Sequence, residues 1–186
     1  MELEKAIKSR KSVKKFLNEK PDWRDILEAI DAVRYAPMAG NCFNLKFIVV
    51  DVLEKIEKIA LACQQDFVSQ ARYLVVVTSD PKILVNCYGE KEGKRYNKQQ
   101  AGAAIENFLL KITESGLSTC WVGYFAEEQI KRCLKIPDNV DVEAVFPIGY
   151  EFGKPLTKKM KIELDAVLRF NDYKTKKMNP EKKINV

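Results

Sequence analysis

The sequence contains no histidine. Because histidine is the side chain that most often acts as a general base near neutral pH, its absence removes the usual serine and cysteine catalytic dyads. It also removes the most common nitrogen ligand of protein-bound metals. If the chain is an enzyme, we therefore expect a bound cofactor to carry the chemistry.

Cysteine is sparse and scattered. The five cysteines form no C-x-x-C pair, so neither a zinc site nor a disulfide framework has its usual spacing. We expect reduced thiols, mostly packed inside a cytoplasmic protein, and no bound metal. The cysteines are Cys42, Cys63, Cys87, Cys120 and Cys133.

Long apolar runs are also missing. No run approaches the roughly 20 residues that a helix needs to cross a bilayer. The first residues, Met1-Glu2-Leu3-Glu4, lack the basic start and apolar stretch of a secretory signal. We therefore expect a soluble, cytoplasmic protein that has no membrane partner.

Length and charge favour one domain with a mixed surface. With 186 residues and 46% hydrophobic content, the chain can bury one sizeable core. The formal charge of +6 comes from basic residues that mostly interleave with acidic ones, which is typical of a solvated surface and does not favour nucleic acid as a partner. We predict a domain over residues 1–170 and a basic tail over 171–186. The wider stretch 154–183 is densely basic and suits either solvent or a phosphate or nucleic-acid ligand. The C-terminal lysines include Lys154, Lys158, Lys159, Lys161, Lys174, Lys176 and Lys177.

Apolar spacing predicts alternating helices and strands. Pro37 and the residues that follow it stop a helix, and Gly116 ends a long one. In chain order, the pattern predicts helices at 3–7 and 22–36, a loop at 37–44, a strand at 47–50, a helix at 53–63, a strand at 73–77, a long helix at 97–115, a strand at 119–125, a helix at 130–134 and a strand at 142–148.

The first segment with a chemical signature is Arg10-Lys11-Ser12-Val13-Lys14-Lys15-Phe16. A guanidinium binds a phosphate with two parallel hydrogen bonds, and a serine hydroxyl donates a further one. The segment therefore favours a phosphate ligand, although a basic helix end is also a common surface feature.

Three further segments stand out. One is the run Ala36-Pro37-Met38-Ala39-Gly40-Asn41-Cys42-Phe43-Asn44-Leu45-Lys46-Phe47. Another combines the small-residue helix at 101–110 with Gly116-Leu117-Ser118-Thr119-Cys120-Trp121-Val122-Gly123-Tyr124-Phe125. The last is Phe146-Pro147-Ile148-Gly149-Tyr150 with the later Lys159-Met160-Lys161-Ile162-Glu163-Leu164-Asp165. Each alone also fits an ordinary role: a helix stop, an amphipathic core helix, a core tryptophan or a turn.

In this order, the four segments resemble the FMN-binding nitroreductase family over nearly the whole chain. The resemblance implies that Arg10, Lys11, Ser12 and Lys14 grip the phosphate and the pyrimidine edge of the flavin. It implies that Pro37, Met38, Ala39 and Asn41 reach the flavin of a partner subunit. It further implies that Trp121, Val122, Gly123 and Tyr124 border the flavin and that Lys159 and Lys161 contact the phosphate.

The sequence departs from the family pattern at three places. Met38 replaces the usual serine, and Phe43-Asn44-Leu45 replaces Gln-Pro-Trp. Lys161 replaces the usual arginine, which keeps the charge but loses the two-pronged hydrogen bonding. The loop that selects the acceptor therefore differs from the family pattern, and Lys161 implies weaker FMN retention unless Arg10 compensates.

The resemblance implies an α+β fold, in which a small, mostly antiparallel sheet is flanked by helices, and an intertwined homodimer that holds FMN between its subunits. The implied activity is ping-pong: NADH or NADPH gives hydride to FMN N5 near the backbone of Gly123 and Tyr124, and a nitroaromatic, quinone or similar small acceptor then takes the electrons. No side chain is assigned as catalytic. Two alternatives remain, a non-redox FMN-binding or storage protein and a basic nucleic-acid-binding protein.

Overall fold

Four strands form one antiparallel sheet in a computed structural model that describes residues 2–153 and 162–178. The strands lie side by side in the order β1-β2-β4-β3, and each neighbouring pair is antiparallel. The predicted small antiparallel sheet flanked by helices is therefore confirmed. The strands are β1 (Leu45–Val50), β2 (Tyr73–Ser79), β3 (Ser118–Thr119) and β4 (Asp141–Gly149).

Helices cover both faces of this sheet. Because successive side chains of a strand point to opposite faces, Val75 and Val77 of β2 pack on one side and Leu74 and Val76 on the other. The first face is covered mainly by α2 and α4, and the second by α3 and α5. The helices of this unit are α1 (Leu3–Ser9), α2 (Trp23–Val33), α3 (Leu53–Cys63), α4 (Pro81–Glu114) and α5 (Glu127–Leu134).

The helix α4 begins well before residue 97, where apolar spacing predicts its start. Asp80 caps it, because the carboxylate accepts the Lys82 N–H at 3.0 Å, and Pro81 occupies the first turn. Residues 90–95 carry no apolar side chain, so the apolar repeat breaks before residue 97. The helix is interrupted at Gly89, whose φ of 77° suits glycine.

The predicted strand at 119–125 is much shorter in the structure. Only Ser118–Thr119 forms a strand, and Val122 then makes an isolated two-way pair with Val145, with both N–H to O distances at 3.0 Å. Trp121 lies between these pairings and is half exposed. The backbone after Thr119 is therefore irregular and open on one side.

Residues 162–178 belong to a second compact unit. It contains the short helix α6 (Leu164–Val167), and the Arg169 guanidinium donates to the carbonyls of Asp165 and Tyr173 at 2.7 and 3.1 Å. The boundary predicted between residues 170 and 171 stays a prediction. Among the described helices, none combines the length and apolar character that crossing a bilayer requires.

The two pieces of α4 on either side of Gly89 approach closely at Gly93 and Val85, which supplies a test of the fold. A Cβ on Gly93 would lie 2.6 Å from the backbone N and Cα of Val85, so Gly93→Ala must push apart the two pieces of the helix. Overpacking of this kind costs about 1–3 kcal/mol. We expect urea unfolding to show that loss of stability, whereas Lys94→Ala on the exposed side should change stability little. Equal stability of Gly93→Ala and the wild type would contradict the close packing.

Candidate functional site

The basic segment 10–16 runs along the edge strand β3. The Val13 N–H donates to the Thr119 carbonyl at 2.9 Å, and Ser12 pairs with Thr119 in a parallel bridge. Val13 and Phe16 are buried, whereas Ser12 and Lys14 are exposed. The two buried apolar side chains hold the segment against the rest of the domain, and its polar side chains face outward.

The cations of this segment have different partners. The Arg10 Nε atom lies 3.8 Å from a carboxylate oxygen of Glu106, and the Lys11 ammonium lies 2.6 Å from that of Glu151. The Lys14 ammonium lies over the ring of Phe67, 5.5 Å from its centroid. The pairs of Arg10 and Lys11 are partly exposed, so each contributes at most about 1 kcal/mol and can be exchanged for a stronger anion.

Thr119 and Cys120 lie under the basic segment. The Thr119 hydroxyl is buried and has no hydrogen-bond partner within the described part of the chain. Burial raises the pKa of the Cys120 thiol, and the Lys14 charge and the Ser12 hydroxyl offset that effect only in part. Cys120 therefore stays protonated at neutral pH and is a poor nucleophile.

The 121–124 segment continues from β3 and presents an open backbone. The Trp121 ring packs edge-on against Phe146, with 5.6 Å between the centroids. Among the described residues, a Cβ added to Gly123 would meet only the Trp121 ring, at 3.8 Å, and Tyr124 is 71% exposed. A flat ligand can therefore approach the backbone of Gly123 closely.

The 37–41 loop is held on α4. Its Ala39 N–H donates to the Gln100 side chain at 3.1 Å, and residues Ala39–Asn41 form one turn of 3-10 helix. Gly40 has a φ of 56°, and a Cβ there would collide with the Tyr88 hydroxyl. A shallow cavity of about 310 Å³ lies between the loop and the helix, lined by Pro37, Met38, Ala39, Tyr96, Gln99, Gln100 and Ala103.

A larger cavity near the basic segment offers a less suitable site. It has a volume of about 380 Å³, and Phe16, Lys20 and Arg72 contribute to its lining. Lys20 is already engaged there, because its ammonium lies 3.5 Å from Asp51 and 4.8 Å from the centroid of the Tyr73 ring. The cavity therefore offers an anion little beyond the exposed Arg72.

The structure brings two of the predicted groups together. Residues 10–14 and 121–124 meet through Thr119, whereas the 37–41 loop is fixed to α4. Asn41 lies at the end of the 3-10 turn with a left-handed φ of 56°. Lys159 and Lys161 lie outside the described residues.

Motif comparison missed two groups that the structure places at or behind these segments. Thr119 supplies the unpaired hydroxyl, and Asn97 and Gln100 form a polar patch on the buried face of α4. The second group had a signal in the sequence. Asn97 and Gln100 share the helical stripe of Ala101 and Ala104, where a polar residue must find a buried partner.

Comparisons with known proteins agree with this architecture. A model of the nitroreductase family matches residues 7–150. A relative from Archaeoglobus fulgidus, provisionally named NADH dehydrogenase/NAD(P)H nitroreductase, is 30% identical over 151 aligned residues that cover 78% of this chain and 83% of the relative. The solved structure of a nitroreductase family protein from Clostridium novyi NT is 32% identical, with a TM-score of 0.76 and coverage of 94% of this chain and 96% of that one.

A further solved structure extends the likeness of the fold. It is an FMN-dependent nitroreductase from Clostridium difficile R20291, with 23% identity, a TM-score of 0.75 and coverage of 90% of this chain and 98% of that one. The family model spans more than half of the sequence, and the sheet, the covering helices and the order of the segments fit it. This chain therefore belongs to the nitroreductase family.

Proposed function

We propose that this protein binds FMN and moves electrons from NADH or NADPH to a small acceptor. The proposal rests on the backbone contact between Val13 and Thr119. This contact holds the basic segment, whose cations suit a phosphate, beside the strand that leads to the open backbone at Gly123. Membership of the nitroreductase family supports the redox class. The name of the Archaeoglobus relative supports the donor, and the description of the Clostridium difficile protein as FMN-dependent supports the cofactor.

The residues present suit the chemistry of FMN. Its phosphate carries about two negative charges, which Arg10, Lys11 and the Ser12 hydroxyl can bind with charge-assisted hydrogen bonds. The unpaired hydroxyl of Thr119 offers one more buried hydrogen-bonding group beside them. The uncrowded backbone at Gly123 leaves room for a planar ring.

The protein's part in the reaction is to position, to polarise and to exclude water. Bound FMN would supply the hydride-accepting centre, which ordinary amino-acid side chains do not provide. Backbone N–H groups near Gly123 and Tyr124 would orient the ring. Lys14 would favour its electron-rich form, because a nearby ammonium stabilises added negative charge. Donor and acceptor would occupy the open side of residues 121–124 in turn, as a ping-pong enzyme requires.

We infer that a second subunit completes the site. The 37–41 loop is anchored on α4, and its exposed residues can reach a neighbouring molecule. On the same helix, a Cβ on Gly102 would lie within 4 Å of no atom of the described residues outside its own stretch of helix. An uncrowded glycine beside small residues lets two helices approach closely, which supports a homodimer. Lys159 and Lys161 are proposed as further phosphate contacts from the resemblance alone.

Turnover distinguishes an enzyme from an FMN carrier. FMN-loaded protein, mixed with an excess of NADH or NADPH and a quinone, should oxidise the nicotinamide continuously, and its absorbance should fall until one substrate is exhausted. A storage protein would oxidise at most one equivalent per bound flavin. A reaction that stops after that equivalent, with the quinone still present, would contradict the enzymatic proposal.

The phosphate assignment predicts that Arg10→Ala weakens FMN binding about tenfold or more, because a charge-assisted hydrogen bond contributes on the order of 1.5–3 kcal/mol. Arg10→Ala combined with Lys161→Ala should weaken it further. The measurement is fluorescence titration of FMN into flavin-free protein, with Arg132→Ala on exposed α5 as the matched control. Unchanged affinity in the double variant would remove the assignment, provided that both proteins keep their folded circular dichroism spectrum.

The position of Lys14 predicts an effect on the flavin potential rather than on its retention. Lys14→Met should keep FMN bound but make the two-electron potential more negative by roughly 20–40 mV, since an exposed charge at a few ångströms contributes about 1–2 kcal/mol. Reduction by NADH in stopped flow should slow accordingly. Lys15→Met, which removes the neighbouring exposed charge, is the control. If Lys14→Met retains both the wild-type potential and the wild-type rate, Lys14 does not lie at the flavin edge.

A further inference from the structure

A continuous chain of buried side-chain hydrogen bonds lies behind the 37–41 loop. It runs from a charged group at the surface, across the ends of β2 and β4, through α4 and into the loop. We refer to it as the Gln100 network, whose members are Gln100, Asn44, Asn97, Ser79, Glu143, Lys98 and Asp141. None of the chemistry proposed above uses it.

Gln100 holds the loop at both ends of its 3-10 turn. The side-chain oxygen accepts the N–H of Ala39, which begins the turn, at 3.1 Å. The side-chain nitrogen donates to the carbonyl of Cys42, just after the turn, at 3.3 Å. Gln100 is 4% exposed, so water does not compete for these bonds.

The remaining members fix the orientation of Gln100. Its nitrogen also donates to the side chain of Asn44, whose own nitrogen donates to the Asp80 carbonyl at 2.8 Å and to Asn97. Asn97 is fully buried and donates to Ser79 at 2.8 Å. The amide of Gln100 therefore satisfies its partners in only one orientation. If the amide were flipped, its N–H groups would face the N–H of Ala39, and its oxygen would face the carbonyl of Cys42.

The end of the network farthest from the loop consists of charged side chains. Glu143 accepts from Asn97 at 3.2 Å and from the Lys98 ammonium at 2.9 Å, and Lys98 also reaches Asp141 at 2.9 Å. Although partial burial opposes the charge of Lys98, its bonds to Asp141 and Glu143 raise its pKa. Lys98 therefore keeps its charge across the neutral range.

This arrangement serves the loop more than the core. An apolar residue at position 100 would fill the same stripe of α4 as Ala101 and Ala104 and would avoid the cost of burying an amide. The amide is matched instead to the backbone of a turn in which Gly40 and Asn41 both adopt left-handed φ values. Such a turn needs external hydrogen bonds to hold a single conformation.

We propose that Gln100 is a positioning residue for flavin binding: it fixes the 37–41 loop in the conformation that contacts the FMN of the partner subunit. The inference rests on the proposed function. It adds that the rigidity of one subunit's loop, set by a buried side chain that does not touch the flavin, determines FMN affinity in the other subunit's site.

The first test compares Gln100→Leu with Gln129→Leu, a matched change on the exposed face of α5. Gln100→Leu should weaken FMN binding about tenfold, because part of the binding free energy must then be used to order the loop. Gln129→Leu should bind FMN as tightly as the wild type. Gln100→Asn, which keeps an amide but is too short to span both contacts, should weaken binding similarly. Affinity is read by fluorescence titration, and dimer content by sedimentation.

A mixed dimer provides the readout that a merely structural role would not produce. A Gln100→Leu subunit is paired with an Arg10→Ala subunit by co-expression with two different tags. If Gln100 acts on the partner's site, one site of this dimer combines a normal loop with a normal Arg10, and the other carries both defects. Half of the sites should then bind FMN with wild-type affinity, and the other half more weakly than in either homodimer.

The outcomes separate this inference from the proposed function. If the wild type binds no FMN, the proposed function fails and Gln100 has no flavin to position. If the wild type binds FMN and both Gln100 variants bind it equally well, only the positioning role is overturned. Two equally weakened sites in the mixed dimer would overturn the action across subunits. Failure of both variants to fold would also overturn the positioning role, because Gln100 would then serve core stability.

Discussion

The central strand β2 is buried on both faces, and this constraint determines where a ligand can bind. All seven of its residues are buried, with α2 and α4 packed on one side and α3 and α5 on the other. Each fully buried valine or leucine contributes on the order of 1.5–3 kcal/mol, so neither face can be opened cheaply. Ligands are restricted to strand ends and edges. The basic segment and the 121–124 backbone meet at one such edge, beside β3.

The chemistry proposed for that edge is one of position and charge. The chain has no histidine, and the thiol nearest the basic segment, Cys120, has a raised pKa because it is buried. The groups that remain are partly or fully exposed cations, hydroxyls and an uncrowded backbone. These groups suit the binding of an anionic, planar cofactor and cannot by themselves carry out redox chemistry. The Gln100 network also acts by position, because its buried amides hold the 37–41 loop in one conformation.

Much of the fold could be predicted from the sequence where one local signal dominates. Ile26 and Val33 repeat at helical spacing in α2, and the run from Tyr73 reads directly as a buried strand. The start of α4 could not be found by spacing, because residues 90–95 carry no apolar side chain and break the repeat, so only the Asp80 cap and Pro81 mark it. After Thr119, Val122 pairs singly with Val145 of β4, a contact between distant parts of the chain that local propensity does not determine. In the candidate site, the residue types of the basic segment were enough to predict a phosphate ligand. The ion pairs of Arg10 and Lys11 and the bond from Ala39 to Gln100 join distant parts of the chain, so they required the structure.

The central claim is that this edge of the sheet is a flavin site completed by two subunits. The most direct measurement is the stoichiometry of FMN bound to the purified protein, from its absorbance spectrum after saturation and removal of free flavin, combined with the mass of the complex in solution. The account predicts one FMN per subunit in a dimer. A protein that stays without flavin after repeated addition of FMN, or a monomer that binds FMN tightly, would contradict it.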